Sequence, residues 1–552
     1  MGKMKRYQDK KQVKQASKPI QKVKPETVTI IFLGLILIFI GYIRIRLLSF
    51  PLERDEGEYA YFGQLILQGF PPYSLAYNLK LPGTYYSYAF IMFLFGQTTV
   101  GIHMGLLLIN LGSIVLLFLI AKKLFNDFVA ILAAASFGVL GCSPAMLGQA
   151  AHATHFVTFF MLAGVYLLIL AFEKNKLHHY LLSGAMMGMA FLMKQSGIFF
   201  TIFGCVMIAL FFLSTSKMLL SGMLRFACYV VGFFIPIGLI FLIIYFSGVF
   251  EKFWFWTMTY PGVYASRIPV SEAWTYFTMS FIPIVKSSMG LWIGAALGAF
   301  SLFFYPGKIR SRIFTGVFLF FSLLTVMPGF YFRSHYFIPF LPVIGILCGV
   351  VLDLLNQKIQ KSFSFITYVS GFIFFLLVAN TLASNKEYYF TNDPVMLCKR
   401  IYAGNPFTES IPIAKYLEEN TTEKDKVCVF GSEPQIYFYA KRHAASGFIY
   451  MYDLVFDHKY VNKLQEEMFR DVEKAKPRFI VFVSCPFSWL PEKGASDTVF
   501  SWIDAYIREN RYLPTCIADI SNDGSTNYVW NEEALRYRPQ SGTNITVLKR
   551  PD

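Results

Sequence analysis

Three carboxylates fall within four residues in the run Arg54-Asp55-Glu56-Gly57-Glu58-Tyr59, directly after the first long apolar segment, residues 28–48. Charge at the edge of a membrane span is costly unless it faces a partner or a cavity. A carboxylate held there can orient or deprotonate an acceptor hydroxyl. Further along, charged or ring-nitrogen side chains recur at the ends of apolar segments: Lys80, His152, His155, Lys194, Arg267, Arg333 and His335. Cations hold a phosphate and stabilise it as a leaving group. Carboxylates beside cations at headgroup depth therefore suit displacement at a carbon bound to a lipid-linked phosphate, with an oxocarbenium-like centre stabilised by the carboxylate.

Each residue also has a plainer reading. Glu58 reads as a structural neighbour of Asp55 and Glu56. Lys80, in Asn78-Leu79-Lys80-Leu81-Pro82-Gly83, could simply snorkel to the interface. His152 and His155 read as helix-end histidines, since two histidines alone do not define a metal site. A divalent ion on Asp55 and Glu56 stays open. Lys194 lies between apolar stretches on both sides and is harder to dismiss. Arg333 and His335 precede the span beginning Tyr336-Phe337-Ile338-Pro339, where a helix N-terminus adds affinity for anions.

The elements that must position these groups are membrane helices. Only 15% of the 552 residues are charged, 55% are apolar, with 59 Phe and 33 Tyr; soluble domains carry about 25% charged residues. Apolar windows predict eleven spans, near 28–48, 102–121, 128–148, 153–172, 180–193, 197–213, 226–247, 290–305, 313–330, 336–355 and 364–384. Lys194 is read as the tip between two short passes. Basic residues concentrate in the N-terminal tail, at Lys122-Lys123, 173–179, Lys217 with Arg225, 308–312, and Lys358 with Lys361. The other loops, 49–101, 149–152, 194–196, 248–289 and 331–335, carry scattered cations. This asymmetry predicts a cytoplasmic N-terminus and, after eleven spans, an extracytoplasmic C-terminal part.

The net charge of +16 does not imply nucleic acid, because +7 of it lies in residues 1–27, which hold nine Lys/Arg and two Asp/Glu without apolar periodicity. That segment reads as a disordered, lipid-facing cytoplasmic tail, and the first span as a retained signal anchor. Four cysteines (Cys142, Cys205, Cys228, Cys348) lie in apolar segments; Cys398, Cys428, Cys485 and Cys516 lie in the polar part, where some could pair.

Residues 28–385 thus form a transmembrane domain whose first outer loop, 49–101, is apolar and aromatic enough to hold two interfacial helices, Tyr59 to Leu67 and Tyr85 to Phe95. The aromatic loop 248–289 could help roof a cavity. Residues 386–552 read as a soluble α/β domain: helices near 409–420 and 459–475, a helix from Ser432 with Gln435 at capping-box spacing, and strands 427–430 and 479–483. No glycine-rich phosphate loop supports a nucleotide role.

The run Arg54-Asp55-Glu56-Gly57-Glu58-Tyr59-Ala60-Tyr61, then Leu67-Gln68-Gly69-Phe70-Pro71-Pro72-Tyr73 and Lys80-Leu81-Pro82-Gly83, resembles the first outer loop of GT-C membrane glycosyltransferases. The likeness is to bacterial relatives of protein O-mannosyltransferases and lipid A aminoarabinose transferases. Phe191-Leu192-Met193-Lys194-Gln195 and Arg333-Ser334-His335-Tyr336-Phe337-Ile338-Pro339-Phe340-Leu341-Pro342 are similar to later family elements, in the same order. Leu81, inserted between Lys80 and Pro82, departs from the pattern. The resemblance implies a GT-C-like helical domain at the cell (inner) membrane that transfers a sugar, with inversion, from a polyprenyl-phosphate donor to a lipid, glycan or protein acceptor on the outer face. It implies Asp55 as catalytic carboxylate, Glu56 as its assistant or a divalent-metal ligand, and Lys80, Lys194, Arg333 and His335 as donor-phosphate ligands. The rival reading, a transporter or flippase for lipid-linked sugars, calls for internal repeats and ionisable groups near span centres; neither is evident. Protease added outside sealed right-side-out vesicles should cut within 386–552 and spare the N-terminal tail; the reverse pattern would overturn the orientation.

Overall fold

The computed structural model describes residues 25–213, 219–307, 309–360, 367–391, 393–490 and 497–551. Most of the basic tail and the loop cations Lys217, Lys308 and Lys361 lie outside them. A helix occupies each of the eleven apolar windows: α1 Pro25–Arg46, α4 Thr99–Leu124, α5 Asp127–Gly141, α6 Ala153–Lys174, α7 Leu177–Met193, α8 Ile198–Leu213, α9 Leu219–Phe246, α11 Met289–Ser301, α12 Ile309–Leu324, α13 Leu341–Gln360 and α14 Thr367–Ser384. Among the described residues six helical segments are long and apolar enough to cross a bilayer alone, or seven if a bent pair counts as one. The chain is a multi-pass membrane protein.

The break between α7 and α8 falls at Lys194, whose extended backbone ends α7. Helices α7 and α9 approach so closely that a β-carbon on Gly184 would lie 1.9 Å from the Tyr229 carbonyl oxygen, and one on Gly188 2.3 Å from that of Phe233. Gly184-x-x-x-Gly188 is the small-residue spacing that lets membrane helices touch along their backbones.

The first outer loop holds two helices, α2 Arg54–Leu67 and α3 Gly83–Phe95. The first starts five residues earlier than its apolar run suggests, so the acidic box forms its opening turn. Glu53 is the N-cap: its carboxylate accepts the Glu56 amide at 2.9 Å, and Glu56 reaches back to the Glu53 amide at 3.4 Å, a reciprocal cap. The loop 248–289 is also largely helical. Its longest helix, α10 Val270–Ser287, turns by 105° into α11.

The C-terminal part is built on a mixed six-stranded sheet: β1 Lys426–Phe430, β2 His443–Ala444, β3 Phe479–Ser484, β4 Leu513–Ile520, β5 Thr526–Trp530 and β6 Thr543–Lys549, in the order β2-β1-β3-β6-β4-β5. The pairs β1–β2 and β1–β3 are parallel and the rest antiparallel. Helices cover it at Ser410–Glu419, at α15 Gln435–Ala440 and at α16 Val461–Ala475. The capping box expected at Ser432 and Gln435 does not form. The helix starts at Gln435 behind Pro434, while the Ser432 hydroxyl accepts the Met451 amide at 3.0 Å and Gln435 bonds Ser410. All eight cysteines are unpaired; the pairing allowed for Cys398, Cys428, Cys485 and Cys516 is not made, and all four are buried as free thiols.

One buried apolar core runs without interruption from Ile40 in α1 to Leu548 in β6. The seam between α2 and the sheet region is tight: the Ala444 amide donates to the Tyr61 hydroxyl at 2.8 Å, the Leu52 amide to the Tyr439 hydroxyl at 2.9 Å, and a β-carbon on Gly57 would meet the Gln435 amide nitrogen at 2.6 Å. Gly57→Val should therefore force α2 and α15 apart. Overpacking of this kind costs about 1–3 kcal/mol, read as a lower thermal midpoint in detergent; an unchanged midpoint would show that the seam yields freely.

Candidate active site

The opening turn of α2 aims Asp55 into a cavity of about 490 Å³. Its walls come from every segment expected on the outer side: the acidic box, Asn78 to Lys80, His152 to Thr154, Met193 to Gln195, Tyr264 and Ser280, and Arg333 to Tyr336. The C-terminal part closes it with Tyr402, Phe407, Tyr450, Tyr452, Asp453 and Phe487. Asp55, Lys80, Lys194, Arg333 and His335 thus meet in one place, from four stretches of chain.

Helical geometry sorts the three carboxylates. Residues three apart share a helix face, whereas adjacent ones diverge by about 100°. Asp55 and Glu58 share the Lys80 ammonium, at 3.1 and 2.8 Å. Glu58 is fully buried and also accepts from the Tyr85 hydroxyl at 2.6 Å, which makes it the structural neighbour expected. Glu56 turns away from the cavity. Its Oε1 accepts the Ala151 amide at 2.6 Å and sits 2.9 Å from His103 Nε2, tying α2 to α4 and to the start of α6. Of the expected pair, the structure delivers Asp55 to the cavity and uses Glu56 as a latch.

Burial, the largest single influence, would raise the Asp55 carboxyl; Lys80, His152 and Lys194 together outweigh burial and hold the group well below the ordinary carboxylate range. Burial likewise opposes charge on Lys80, but Asp55 and Glu58 push its ammonium well above its ordinary value. On Glu58 burial wins over Lys80, and the carboxyl is raised. The Tyr450 hydroxyl lies 3.2 Å from Asp55 Oδ1 and 3.1 Å from the Arg54 carbonyl oxygen. Arg54 itself leaves the cavity floor to pair with buried Glu433 at 2.8 Å.

The cations differ in what they already hold. Lys80 is committed to two carboxylates. Lys194 sits 3.1 Å above the Tyr336 ring centre, and burial, reinforced by Lys80, pushes its ammonium well below its ordinary value; an incoming anion would restore its charge. Arg333 lies 5.6 Å from the Tyr331 ring centre. Arg267 stands over Phe456 at 3.5 Å and is not on the cavity wall; nor is His155.

His152 and His335 stack, with ring centres 3.9 Å apart and planes 11° from parallel. Their ring nitrogens and an Asp55 oxygen lie within 4.8 Å of one another: His152 Nδ1 is 3.8 Å and His335 Nε2 3.9 Å from Asp55 Oδ2. These gaps are too wide for hydrogen bonds and suit ligands around a shared cation. Both nitrogens of His152 and Nδ1 of His335 are buried without a hydrogen-bond partner among the described residues, and burial pushes His152 down to about 4, so it is neutral and able to ligate at pH 7. The residues fit a divalent ion, held by Asp55, His152 and His335 rather than by Asp55 and Glu56. His152, Tyr450 and Tyr452 are the site groups that sequence reasoning did not assign.

Residues 80–241, less than a third of the chain, match the family model of dolichyl-phosphate-mannose-protein mannosyltransferases. No curated protein matches by sequence. Among solved structures, ArnT from Cupriavidus metallidurans in the apo state aligns with 95% of this chain and 98% of its own, at 13% identity and a TM-score of 0.54. The same protein bound to undecaprenyl phosphate aligns over 83% and 93%, at 15% identity and 0.55. The archaeal oligosaccharyltransferase AglB from Archaeoglobus fulgidus, in complex with an inhibitory peptide and a dolichol-phosphate, aligns over 92% and 74%, at 12% identity and 0.54. The fold is therefore the one shared by these membrane glycosyltransferases, the GT-C architecture anticipated from the first outer loop.

Asp453, on the cavity wall, accepts the Tyr260 hydroxyl at 2.8 Å, yet burial raises its carboxyl from 3.8 to about 6. A carboxyl raised on folding favours the folded chain at pH below 3.8, and the advantage is lost as pH climbs through about 6. Asp453→Asn, which cannot ionise, should stabilise the fold at pH 8 by up to about 3 kcal/mol, at 1.36 kcal/mol per pH unit, and so raise the thermal midpoint there. It should leave the midpoint unchanged near pH 3.5. An equal gain at both pH values would remove ionisation as the cause.

Proposed function

We propose that this chain is an inverting glycosyltransferase that moves a sugar from a polyprenyl-phosphate donor to a lipid, glycan or protein acceptor at the outer face of the cell membrane. The observation that carries the reading is the meeting, in one cavity, of an ionised carboxylate with Lys194, Arg333 and His335. The family match, the GT-C fold, and the undecaprenyl phosphate and dolichol-phosphate bound by the neighbours ArnT and AglB support it. The reading carries with it eleven spans within residues 28–385, a cytoplasmic N-terminus and residues 386–552 outside. Transport has no comparable support: the cations gather around Asp55 at one end of the bundle.

In the reaction the acceptor oxygen bonds to the anomeric carbon as the carbon–oxygen bond to the donor phosphate breaks. The phosphate leaves with the electron pair. Lys194, Arg333 and His335 hold it, and Lys80 contributes charge from its place between Asp55 and Glu58. Asp55 is ionised when the acceptor binds but, held so low, is a weak base. It orients the acceptor hydroxyl first and takes its proton only as the new bond makes that proton acidic. A divalent ion on Asp55, His152 and His335 would add positive charge beside the leaving phosphate.

Asp55→Asn should preserve expression and thermal midpoint while lowering transfer of labelled sugar from a polyprenyl-phosphate donor by at least about a hundredfold; transfer at the native rate would sink the assignment. Lys194→Ala should weaken binding of polyprenyl phosphate by about tenfold, in line with losing one charged hydrogen bond of 1.5–3 kcal/mol. Unchanged lipid affinity would remove Lys194 from the phosphate site.

A further inference from the structure

A second concavity, about 620 Å³, lies away from the catalytic cavity, where the sheet region meets the first outer loop. Six cations line it: Lys424, Lys426, Lys474, Lys476, Arg478 and Arg550. Only two carboxylates do, Asp425 and Asp471. The imbalance is local. Residues 386–552 hold 21 Lys/Arg and 23 Asp/Glu, so the region as a whole has no basic bias. Both carboxylates are also engaged: Asp425 accepts the amide and hydroxyl of Thr422 at 2.8 Å each, and Asp471 accepts the Ser446 hydroxyl at 3.3 Å.

The sheet concentrates the charge. Parallel β1 and β3 start, and antiparallel β6 ends, at the same edge, in the registers Val427 with Phe479 and Phe479 with Lys549. One step outward, the Arg478 amide donates to the Lys426 carbonyl and the Arg550 amide to the Arg478 carbonyl, both at 3.0 Å. Lys426, Arg478 and Arg550 thus form a row of like charge across three adjacent strands, an arrangement that costs stability unless something negative offsets it. The C-terminus of α16 favours Lys474 and Lys476 on its own account, but it does not account for Lys424, Lys426 or the row.

We propose that this cleft binds an acceptor carrying repeated anionic groups, phosphodiester or carboxylate, along its length. The proposal deepens the glycosyltransferase reading and rests on it only for the word acceptor. The segment Ser74 to Lys80 walls both concavities: Ser74, Leu75 and Tyr77 face the cationic cleft, and Asn78, Leu79 and Lys80 face Asp55. A chain seated in the cleft is therefore one short stretch of backbone from the carboxylate that orients its hydroxyl, and avidity along a polyanion would keep successive units near the site.

The test uses the full chain in nanodiscs of zwitterionic lipid, with soluble polyphosphate and polyglutamate as probes. We expect both probes to bind, with affinity falling steeply with added salt, and to bind at least about tenfold more weakly to Lys424→Glu/Lys426→Glu. The milder Lys424→Gln/Lys426→Gln should show an intermediate loss, at an unchanged thermal midpoint for both variants. Asp55→Asn should bind the probes like the native chain, which separates failure of the cleft from failure of the catalytic assignment. Absence of binding, or binding that ignores the charge reversal, overturns the proposal. If nanodiscs containing anionic phospholipid abolish probe binding, the cleft takes lipid headgroups and the polymer assignment falls.

Discussion

Lys80 holds two carboxylates at once, Glu58 fully buried and Asp55 facing the cavity with 25% of its side chain exposed. Remove its ammonium and Asp55 faces buried Glu58 with no cation between them, and a charge left buried and unpaired costs several kcal/mol. Remove either carboxylate and the ammonium keeps one partner. The asymmetry makes Lys80 the hinge of the site. Its charge keeps Asp55 ionised, and it anchors the turn between α2 and α3 to the acidic box. Glu58 and Tyr85 in turn fix the direction from which the ammonium approaches. Because the buried triad is net negative with both carboxylates ionised, a further cation entering near Asp55, whether metal or substrate-borne, meets attraction rather than repulsion.

Around that triad the protein divides labour by depth. Glu53 accepts the Glu56 amide, and Glu56 accepts the Ala151 amide and meets His103, so the start of α2 is set rigidly before any ligand arrives. Asp55 is left with an open side toward the stacked histidines. Lys194 and Arg333 rest on aromatic rings instead of carboxylates, an arrangement that keeps them available to an anion. The cavity is thus divided between an acidic wall and a wall bearing Lys194 and Arg333, on which an arriving anion restores the charge of Lys194.

How far this was legible in the sequence depended on distance along the chain. The segments bearing Asp55, Lys194, Arg333 and His335 could be grouped because hydropathy and loop charge put them at span ends on one side, and the structure gathers those ends. Glu56 could not be told from Asp55 in the sequence, because the helix was expected to begin only at Tyr59. As the first turn of a helix, the acidic box has Asp55 with Glu58 as its i, i+3 pair, and Glu56 necessarily points elsewhere. His152 was visible but unassigned, because its partner His335 is more than 180 residues away. Tyr450 and Glu433 lie nearly 400 residues from the groups they touch, a separation that no local pattern encodes. The strands β4 to β6 carry mixed polar and apolar residues and gave too weak an alternation to be read.

The Tyr450–Asp55 contact also sets an order of events in synthesis. Asp55 emerges with the second helix, but Tyr450 and the Glu433 partner of Arg54 are made only after all the apolar segments. A chain inserted as far as α14 contains Asp55, both histidines, Lys194 and Arg333, yet its cavity lacks one wall and Arg54 has no acid to hold it. The site closes when the last quarter of the protein has folded against the opening turn of α2. Incomplete chains are thereby left with an open, water-filled cleft in place of a working one.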